Sequence, residues 1–520
     1  MKVGLLQKHL SSEVSARNYP LYAGLFVCLL ILFGILLYFD SVLVFVLFSL
    51  VILVIGFTKP KWFLYIALTF FLSQQVFLKY PEEFYFGGQI AALTSGDLTL
   101  SFLRFASPEN IFTGHLPKVF FLTTIVALVL PALGKNKTVS REKEFRYVFL
   151  FLATCLASAV FNLSVGPHTV LFLFQYLFPV AFYYSVVLIR MSIHERRKLF
   201  GYLMFLCFEV QVVFSCLQNS GKLLQGSWGF GDYAVGTFAY PQSQNSAVLL
   251  SIAIFFFLSD YLVHRNRKSL FKVFIAFMAI LAASLGFFTL LLLLALIVYY
   301  LYGLSQKIVR PARVFRGLAL TLVATGIPIM FIIENPERWI DYDYVSGKIQ
   351  DNLQKRFTDI AKVFSFVNLY NMLSTEGNYA LGSGPGTFLS AAAQKYDSPL
   401  YRKYSSFALL SERTGDIGGG DWLENSFVVL VGETGVIGWV LYMGFYYRKF
   451  KLVTARARLA NALNERNELF AFLSGAFVLY LLSTFVLNVF EVRETILPLV
   501  VFTGLAFQEI NSVNDELTET

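Results

Sequence analysis

The run Leu43-Val-Phe-Val-Leu-Phe-Ser-Leu-Val-Ile-Leu-Val-Ile-Gly-Phe57 decides the fold. It contains no charge and no alternation of apolar and polar positions, and Thr289-Leu-Leu-Leu-Leu-Leu-Ala-Leu-Ile-Val-Tyr-Tyr-Leu301 has the same character. A strand of a membrane β-barrel alternates with period two, so both runs exclude that class and read as helix immersed in lipid. The rest of the chain agrees. Of 520 residues, 57% are hydrophobic and 14% charged, against roughly a quarter charged in soluble domains. A water-soluble enzyme is excluded. At about 20 residues per span, fourteen spans take about 280 residues and leave about 240 for loops and tails.

Apolar runs between turn signals predict helices over 21–39, 41–57, 62–78, 119–134, 148–165, 169–189, 199–217, 247–263, 273–285, 287–304, 317–333, 427–446, 469–489 and 496–508. The run 271–304 is too long for one span, and Ser284-Leu285-Gly286 divides it. The expected fold is all-α and polytopic, with about 14 transmembrane helices. With the N-terminus inside, 28 of the 42 Lys and Arg residues fall in cytoplasmic segments and 14 on the other side, nine of those in one long loop. Basic residues concentrate in short cytoplasmic loops. Both termini are therefore expected in the cytoplasm, with transmembrane helices 1–11 and the outer loops 79–118 and 217–246 within 1–333, a large extracytoplasmic loop over 334–426, and helices 12–14 with a cytoplasmic tail over 427–520.

The net charge of +9 is scattered singly between apolar runs, so it marks topology and not a nucleic-acid surface. Cys28, Cys155, Cys207 and Cys216 lie within apolar runs without metal-ligand spacing, which points to no disulfide framework and no metal site. Lys2, Lys8 and Arg17 precede a long apolar stretch without a cleavage pattern, and this is read as an uncleaved first span.

The 93-residue loop 334–426 points to work on the extracytoplasmic side. Within it Ile349, Leu353, Phe357, Ile360, Phe364 and Val367 recur at helical spacing and predict an amphipathic helix along the membrane surface. The stretch Leu381-Gly-Ser-Gly-Pro-Gly-Thr-Phe388 holds three glycines, Gly382, Gly384 and Gly386, in the spacing of a loop whose N–H groups can approach an anion. It matches no nucleotide motif, and a plain turn and a substrate-shaping turn are both open to it.

Further on, Asp421-Trp-Leu-Glu424-Asn425-Ser426 is followed after nine residues by Gly435-Val-Ile-Gly438. With the glycine stretch before it, Arg356 before that, and Gly236-Thr-Phe-Ala-Tyr-Pro-Gln-Ser-Gln-Asn245 upstream, this resembles the O-antigen ligase and polysaccharide polymerase family. That family carries a His-Asn or similar pair, nine residues, and Gly-x-x-Gly leading into a membrane helix. Two departures stand out: Glu424 replaces the motif histidine, and a family Ser-Arg-Gly turn reads Ser284-Leu285-Gly286. Ligases lean on that histidine, so its loss favours a polymerase.

The resemblance implies a GT-C-like glycosyltransferase of the bacterial inner membrane that joins repeat units of O-antigen, capsule or exopolysaccharide. Donor and acceptor would be polyprenyl-diphosphate-linked oligosaccharides, in bacteria on undecaprenyl diphosphate. The transfer would be metal-independent and inverting, with no cofactor and no nucleic acid. A chain-length regulator and a flippase would be its further partners, beside the lipid bilayer. A diphosphate leaving group calls for fixed cations, and Arg suits it by its persistent charge and bidentate fork. Arg356 ranks first by motif position, then Arg493 in its short turn, with Arg402 and Arg413 in the long loop; for any one of them, solvated loop charge is the competing role.

The acceptor hydroxyl needs a base. Glu424 fits at the membrane rim, and equally fits as a helix cap, with Asp421 as the fallback. Asn425 and Glu433 are expected to shape the site, since the Glu-Thr-Gly element resembles the family's helix start. Glu209, inside the seventh span, is open between a buried hydrogen-bonded acid and a functional one. Trp228, Phe230, Tyr233, Phe238 and Tyr240 suit interface anchoring more than sugar stacking. His115 and His168 are read as incidental. Two rivals stand beside the polymerase: a ligase that passes finished glycan to lipid A core or protein, and a transporter or flippase of the lipid-linked unit.

Overall fold

The computed structural model describes residues 12–73, 76, 111–130, 143–189, 191–216, 237, 243–283, 287–306, 315, 319, 323, 361–404, 425–462 and 468–518. Among them there is no strand. The helices are α1 (Ser12–Phe39), α2 (Val42–Thr58), α3 (Pro60–Ser73), α4 (Ile111–Thr123, running on through a π turn over Thr124–Val129), α5 (Lys143–Phe161) and α6 (Pro167–Leu188). Then come α7 (Ile193–Phe205, followed by a π turn over Leu206–Val210), α8 (Ser243–His264), α9 (Arg267–Ala283) and α10 (Phe287–Ser305). The last six are α11 (Ala361–Thr375), α12 (Ala391–Lys395), α13 (Pro399–Tyr404), α14 (Ser426–Ala462), α15 (Glu468–Ser483) and α16 (Arg493–Thr518).

Among the described residues seven helical stretches are long and apolar enough to cross a membrane: 18–39, 144–161, 167–188, 193–216, 244–262, 288–305 and 426–460. Shorter apolar helices cover 42–58, 60–73, 114–129 and 469–483. The faces they leave outward are apolar as well. α2 buries only Ile52 and Gly56, while Leu43, Val46, Leu47, Leu50, Val51 and Val54 are exposed. A face of that kind has its natural solvent in lipid, where an α-helix satisfies its own backbone donors and acceptors.

The expected boundaries hold at α2, α6, α8 and α10 to within about four residues, and the division of the 271–304 run appears as the end of α9 at Ala283 and the start of α10 at Phe287. The expected span 317–333 lies outside the described residues, apart from single helical positions at Ala319 and Val323. Two elements continue past their expected ends, α14 to Ala462 and α16 to Thr518, where polar residues extend each helix beyond its apolar part, and α1, α4, α5, α7 and α9 begin five to nine residues before their expected starts. The amphipathic segment is described only from Ala361, where it forms α11 and packs on α14. Its buried face carries Ser365, Asn368, Leu369, Met372 and Leu373.

α6 is the axis of the bundle, packed against α16, α5 and the π turn of α4. Its core face is aromatic: Phe178 meets Phe71 at 4.9 Å edge-on and Phe182 at 4.8 Å. The α6 C-terminus would leave carbonyls unpaired in an apolar setting. Gln508 of α16 answers this by donating from Nε2 to the carbonyls of Ile189, at 2.6 Å, and Val186.

Glu209, in the π turn of α7, accepts from the Tyr19 hydroxyl at 2.6 Å and from Lys272 Nζ at 3.0 Å. Glu209 is thus a partly buried, hydrogen-bonded acid in a clasp joining α1, α7 and α9, with the Lys272 ammonium also 4.8 Å from the centre of the Phe257 ring. Cys155 and Cys207 are buried and Cys28 and Cys216 exposed, all four free thiols.

Candidate functional site

α14 is broken near its start. Gly435 takes φ 69° and ψ −179°, a backbone region open in practice to glycine alone. A Cβ at this position would stand 2.0 Å from the Ala380 carbonyl oxygen, so a closely approaching backbone adds a second requirement for glycine. The break divides α14 into a short first half, Ser426 to Thr434, and a long second half, and it frees backbone groups on both sides.

The glycine stretch fills that break. The Val436 N–H donates to the Tyr379 carbonyl at 2.9 Å and the Ile437 N–H to the Ala380 carbonyl at 3.4 Å. In the other direction the N–H groups of Ser383 and Gly384 donate to the carbonyls of Gly432 and Glu433, at 2.8 and 3.1 Å. Gly382, Gly384 and Gly386 all take positive φ, which lets the chain turn tightly enough to do this. From the opposite side α5 secures the same loop, with Ser158 Oγ donating to the Leu381 carbonyl at 2.5 Å and Asn162 Nδ2 to the Gly382 carbonyl at 3.3 Å.

The anion held by the glycine loop is the chain's own. The fully buried Glu433 carboxylate accepts from the N–H groups of Gly386, Phe388 (3.1 Å) and Ser390 (2.9 Å). Glu491, in the turn between α15 and α16, accepts from the Ala391 N–H at 3.1 Å and from Asn488 Nδ2 at 2.6 Å. Two carboxyl groups thus organise four backbone N–H groups within residues 386–391. Burial pushes the Glu491 carboxyl up to about 8, and the Glu433 charge adds to the shift against the opposing hydrogen bonds. Gly382, Gly384, Gly386 and Glu433, expected to shape the site, meet here, and the N–H groups of Gly386, Phe388, Ser390 and Ala391 are paired within the chain.

Asn425 caps α14. Its Oδ1 accepts from the Val428 N–H at 2.9 Å, and its Nδ2 donates to Ser365 of α11 at 3.2 Å. Ser426 ties the same end to the α15–α16 turn, its N–H donating to the Leu487 carbonyl at 3.0 Å. Glu424 and Asp421 lie outside the described residues, as do Arg356 and Arg413.

Arg402 is exposed and engaged in a two-pronged ion pair with Asp397, Nε to Oδ1 at 2.6 Å. Close by, Lys403 pairs with Glu376, drawing that carboxyl below its ordinary range, and Tyr404 Oη donates to the same oxygen at 2.9 Å. These contacts fasten α13 to the end of α11.

Arg493, the first residue of α16, differs. Its guanidinium lies over the rings of Phe174 and Phe178 of α6, 5.5 and 6.0 Å from their centres. Its Nη1 is buried, with no hydrogen-bond partner among the described residues. Lys118 of α4 stands within the electrostatic reach of both Arg493 and Lys395, the last residue of α12, and His115 within that of Lys118 and Lys395. His115 Nδ1 is 3.2 Å from Lys118 Nζ. Three helices far apart in sequence thus bring three cations to one end of the bundle, beside the loop that Glu433 and Glu491 hold. Sequence reasoning selected Arg493 and missed Lys118 and Lys395, which belong to no motif. Glu494, the next residue, is the carboxylate whose charge acts on Arg493. Among the described residues no cluster of three or more His, Cys, Asp or Glu side chains is placed to hold a metal ion.

No family model matches the chain, and no curated protein matches it.

Proposed function

We propose that this protein is a multi-pass membrane glycosyltransferase of the bacterial inner membrane, resembling the O-antigen ligase and polysaccharide polymerase family. It joins polyprenyl-diphosphate-linked oligosaccharide repeat units at the extracytoplasmic face, with fourteen spans, both termini in the cytoplasm and the 334–426 loop over the site. The observation that carries the reading is the buried Nη1 of Arg493, without a partner among the described residues, near Lys118, which in turn lies near Lys395. A guanidinium over aromatic rings with an N–H to offer, and a chain of two ammonium groups leading from it, matches the needs of a diphosphate: a planar fork for two oxygens and point charges for the rest. As the glycosidic bond to diphosphate breaks, negative charge grows on the leaving group, and cations fixed in advance stabilise it without reorganisation. The stacking of Arg493 on Phe174 and Phe178 supplies that fixity. The glycine loop, pinned by Glu433, makes a rigid wall for the sugar next to the leaving group.

The test is the glycan length profile of cells lacking the gene. A polymerase leaves single-unit glycans attached to their acceptor and no long chains. Loss of every glycan from the acceptor, with polymer retained on the lipid carrier, identifies a ligase. Accumulation of lipid-linked units on the cytoplasmic side identifies a flippase.

A further inference from the structure

His168 is the second residue of α6 and is partly buried against the glycine loop. Its Nε2 lies 2.7 Å from the backbone carbonyl oxygen of Ser164. A carbonyl oxygen only accepts, so Nε2 carries the proton of the neutral ring and Nδ1 is left as a bare lone pair. A hydrogen bond of this kind fixes the ring's orientation as well as its tautomer.

The surroundings are built around the ring. A Cβ on Gly166 would stand 2.8 Å from Cε1 and 3.0 Å from Nδ1 of His168, so the glycine clears the space beside the basic nitrogen. A Cβ on Gly386 would meet the His168 carbonyl oxygen at 2.5 Å, which brings the loop directly onto this helix end. Thr169 Oγ1 reaches the carbonyls of Ser164 and Pro385, at 2.7 and 3.4 Å, and joins the same two segments. Tyr396, just after α12, meets the imidazole edge-on with centroids 6.4 Å apart.

We propose that His168 is the general base of the transfer, taking the proton of the acceptor sugar hydroxyl at Nδ1; the proposal rests on the glycosyl-transfer reading above. The hydroxyl oxygen forms the new bond to the anomeric carbon. The anomeric C–O bond to diphosphate breaks with its electron pair going to the leaving group, and the hydroxyl proton passes to Nδ1. His168 takes the role for which Glu424 and Asp421 are the sequence candidates.

The experiment uses the full-length protein in nanodiscs, with lipid-diphosphate-linked oligosaccharide extracted from the source strain deleted for this gene. His168→Gln retains an N–H for the Ser164 carbonyl and loses the basic lone pair. Extension should slow by about 10²- to 10⁴-fold with binding of the lipid-linked unit retained. In His168→Ala, added imidazole should restore part of the rate by entering the space beside Gly166. Extension by His168→Gln within threefold of the unmodified protein overturns the proposal, and so does a slowed variant whose His168→Ala counterpart imidazole fails to rescue. Unmodified protein that leaves the single units unextended overturns the transferase reading itself, which keeps the two failures apart.

Discussion

The backbone N–H of Ser390 donates to Oε1 of Glu433 at 2.9 Å, joining the end of the glycine loop to the short first part of α14. Phe388 shares that oxygen and Gly386 takes the other, so one carboxylate organises five residues of loop.

Glu433→Gln tests this pin. The amide retains one acceptor oxygen and sets an NH₂ group against a backbone N–H, leaving a buried donor facing a donor. The cost expected for such an unsatisfied buried group is about 1–3 kcal/mol. Thermal unfolding of the purified variant should fall by several degrees, and limited trypsin digestion should cut faster at Lys395. An unchanged melting point would mean that the loop is held by its backbone pairing with α14 alone.

Gly435→Ala should be the more damaging single change. It places a side chain in a backbone region that costs about 1–3 kcal/mol for any residue but glycine, and directs it into the Ala380 carbonyl. Relief requires moving residues 379–384 out of the break, with loss of the four backbone hydrogen bonds that fill it. Poor recovery of folded protein from membranes is expected, measured by gel-filtration in detergent. Gly24→Ala in α1 is the control; a Cβ there meets nothing within 4 Å.

The long apolar runs made the spans legible, because lipid leaves helices few alternatives. The break in α14 was less so: Val431-Gly-Glu-Thr-Gly-Val436 continues an apolar run, and nothing within it announces that residues 379–384 will supply the missing partners. Glu433 could be marked as a site-shaping acid from its expense in a span, but its three donors lie more than forty positions upstream. Asn425 and Glu424 compete for one cap, and which of them holds it turns on a single residue in the helix start. Lys118 and Lys395 carry no local signal at all. They matter only because α4, α12 and α16 meet, which is a property of tertiary packing.

Stability should fall as pH rises through the range in which Glu491 titrates. The folded state holds its proton up to about 8, against an ordinary value of 4.5 for the unfolded chain. Below 4.5 both states are protonated and this stabilising contribution is complete; between 4.5 and 8 only the folded state binds the proton, so stability drops as pH increases and levels off above 8. Thermal unfolding in detergent from pH 5 to 9 should show this slope, and Glu491→Gln should flatten it. An equal slope in the variant would assign the titration to another group.

The clasp of Glu209, Tyr19 and Lys272 predicts coupling that no single substitution reveals. Lys272→Met leaves the Glu209 carboxylate without its cation in a partly buried setting and should destabilise by about 1–3 kcal/mol. Adding Glu209→Gln should recover much of that loss, because a neutral amide still accepts from Tyr19. Additive losses in the double variant would show that the two side chains act separately.

Arg493 and Arg402 give the sharpest contrast within the site, since both were diphosphate candidates by residue type. The Arg402 guanidinium is satisfied by Asp397 on an exposed surface, where ion pairs contribute about 0–1 kcal/mol. Arg402→Ala should therefore extend chains within about twofold of the unmodified protein. Arg493 has a buried N–H without a partner among the described residues and Lys118 within electrostatic reach, so Arg493→Ala should lower extension by roughly 10²- to 10³-fold, the usual effect of removing one fixed group from a developing anion. Arg493→Lys retains the charge but gives up the planar fork over Phe174, and should recover only a small part of that loss. Lys118→Ala and Lys395→Ala remove point charges and should each weaken binding of the lipid-linked unit, measurably more at low salt than at high salt. If Arg402→Ala proves the inactive variant and Arg493→Ala the active one, the diphosphate lies over α13 and the cation cluster of α4, α12 and α16 is not the leaving-group site.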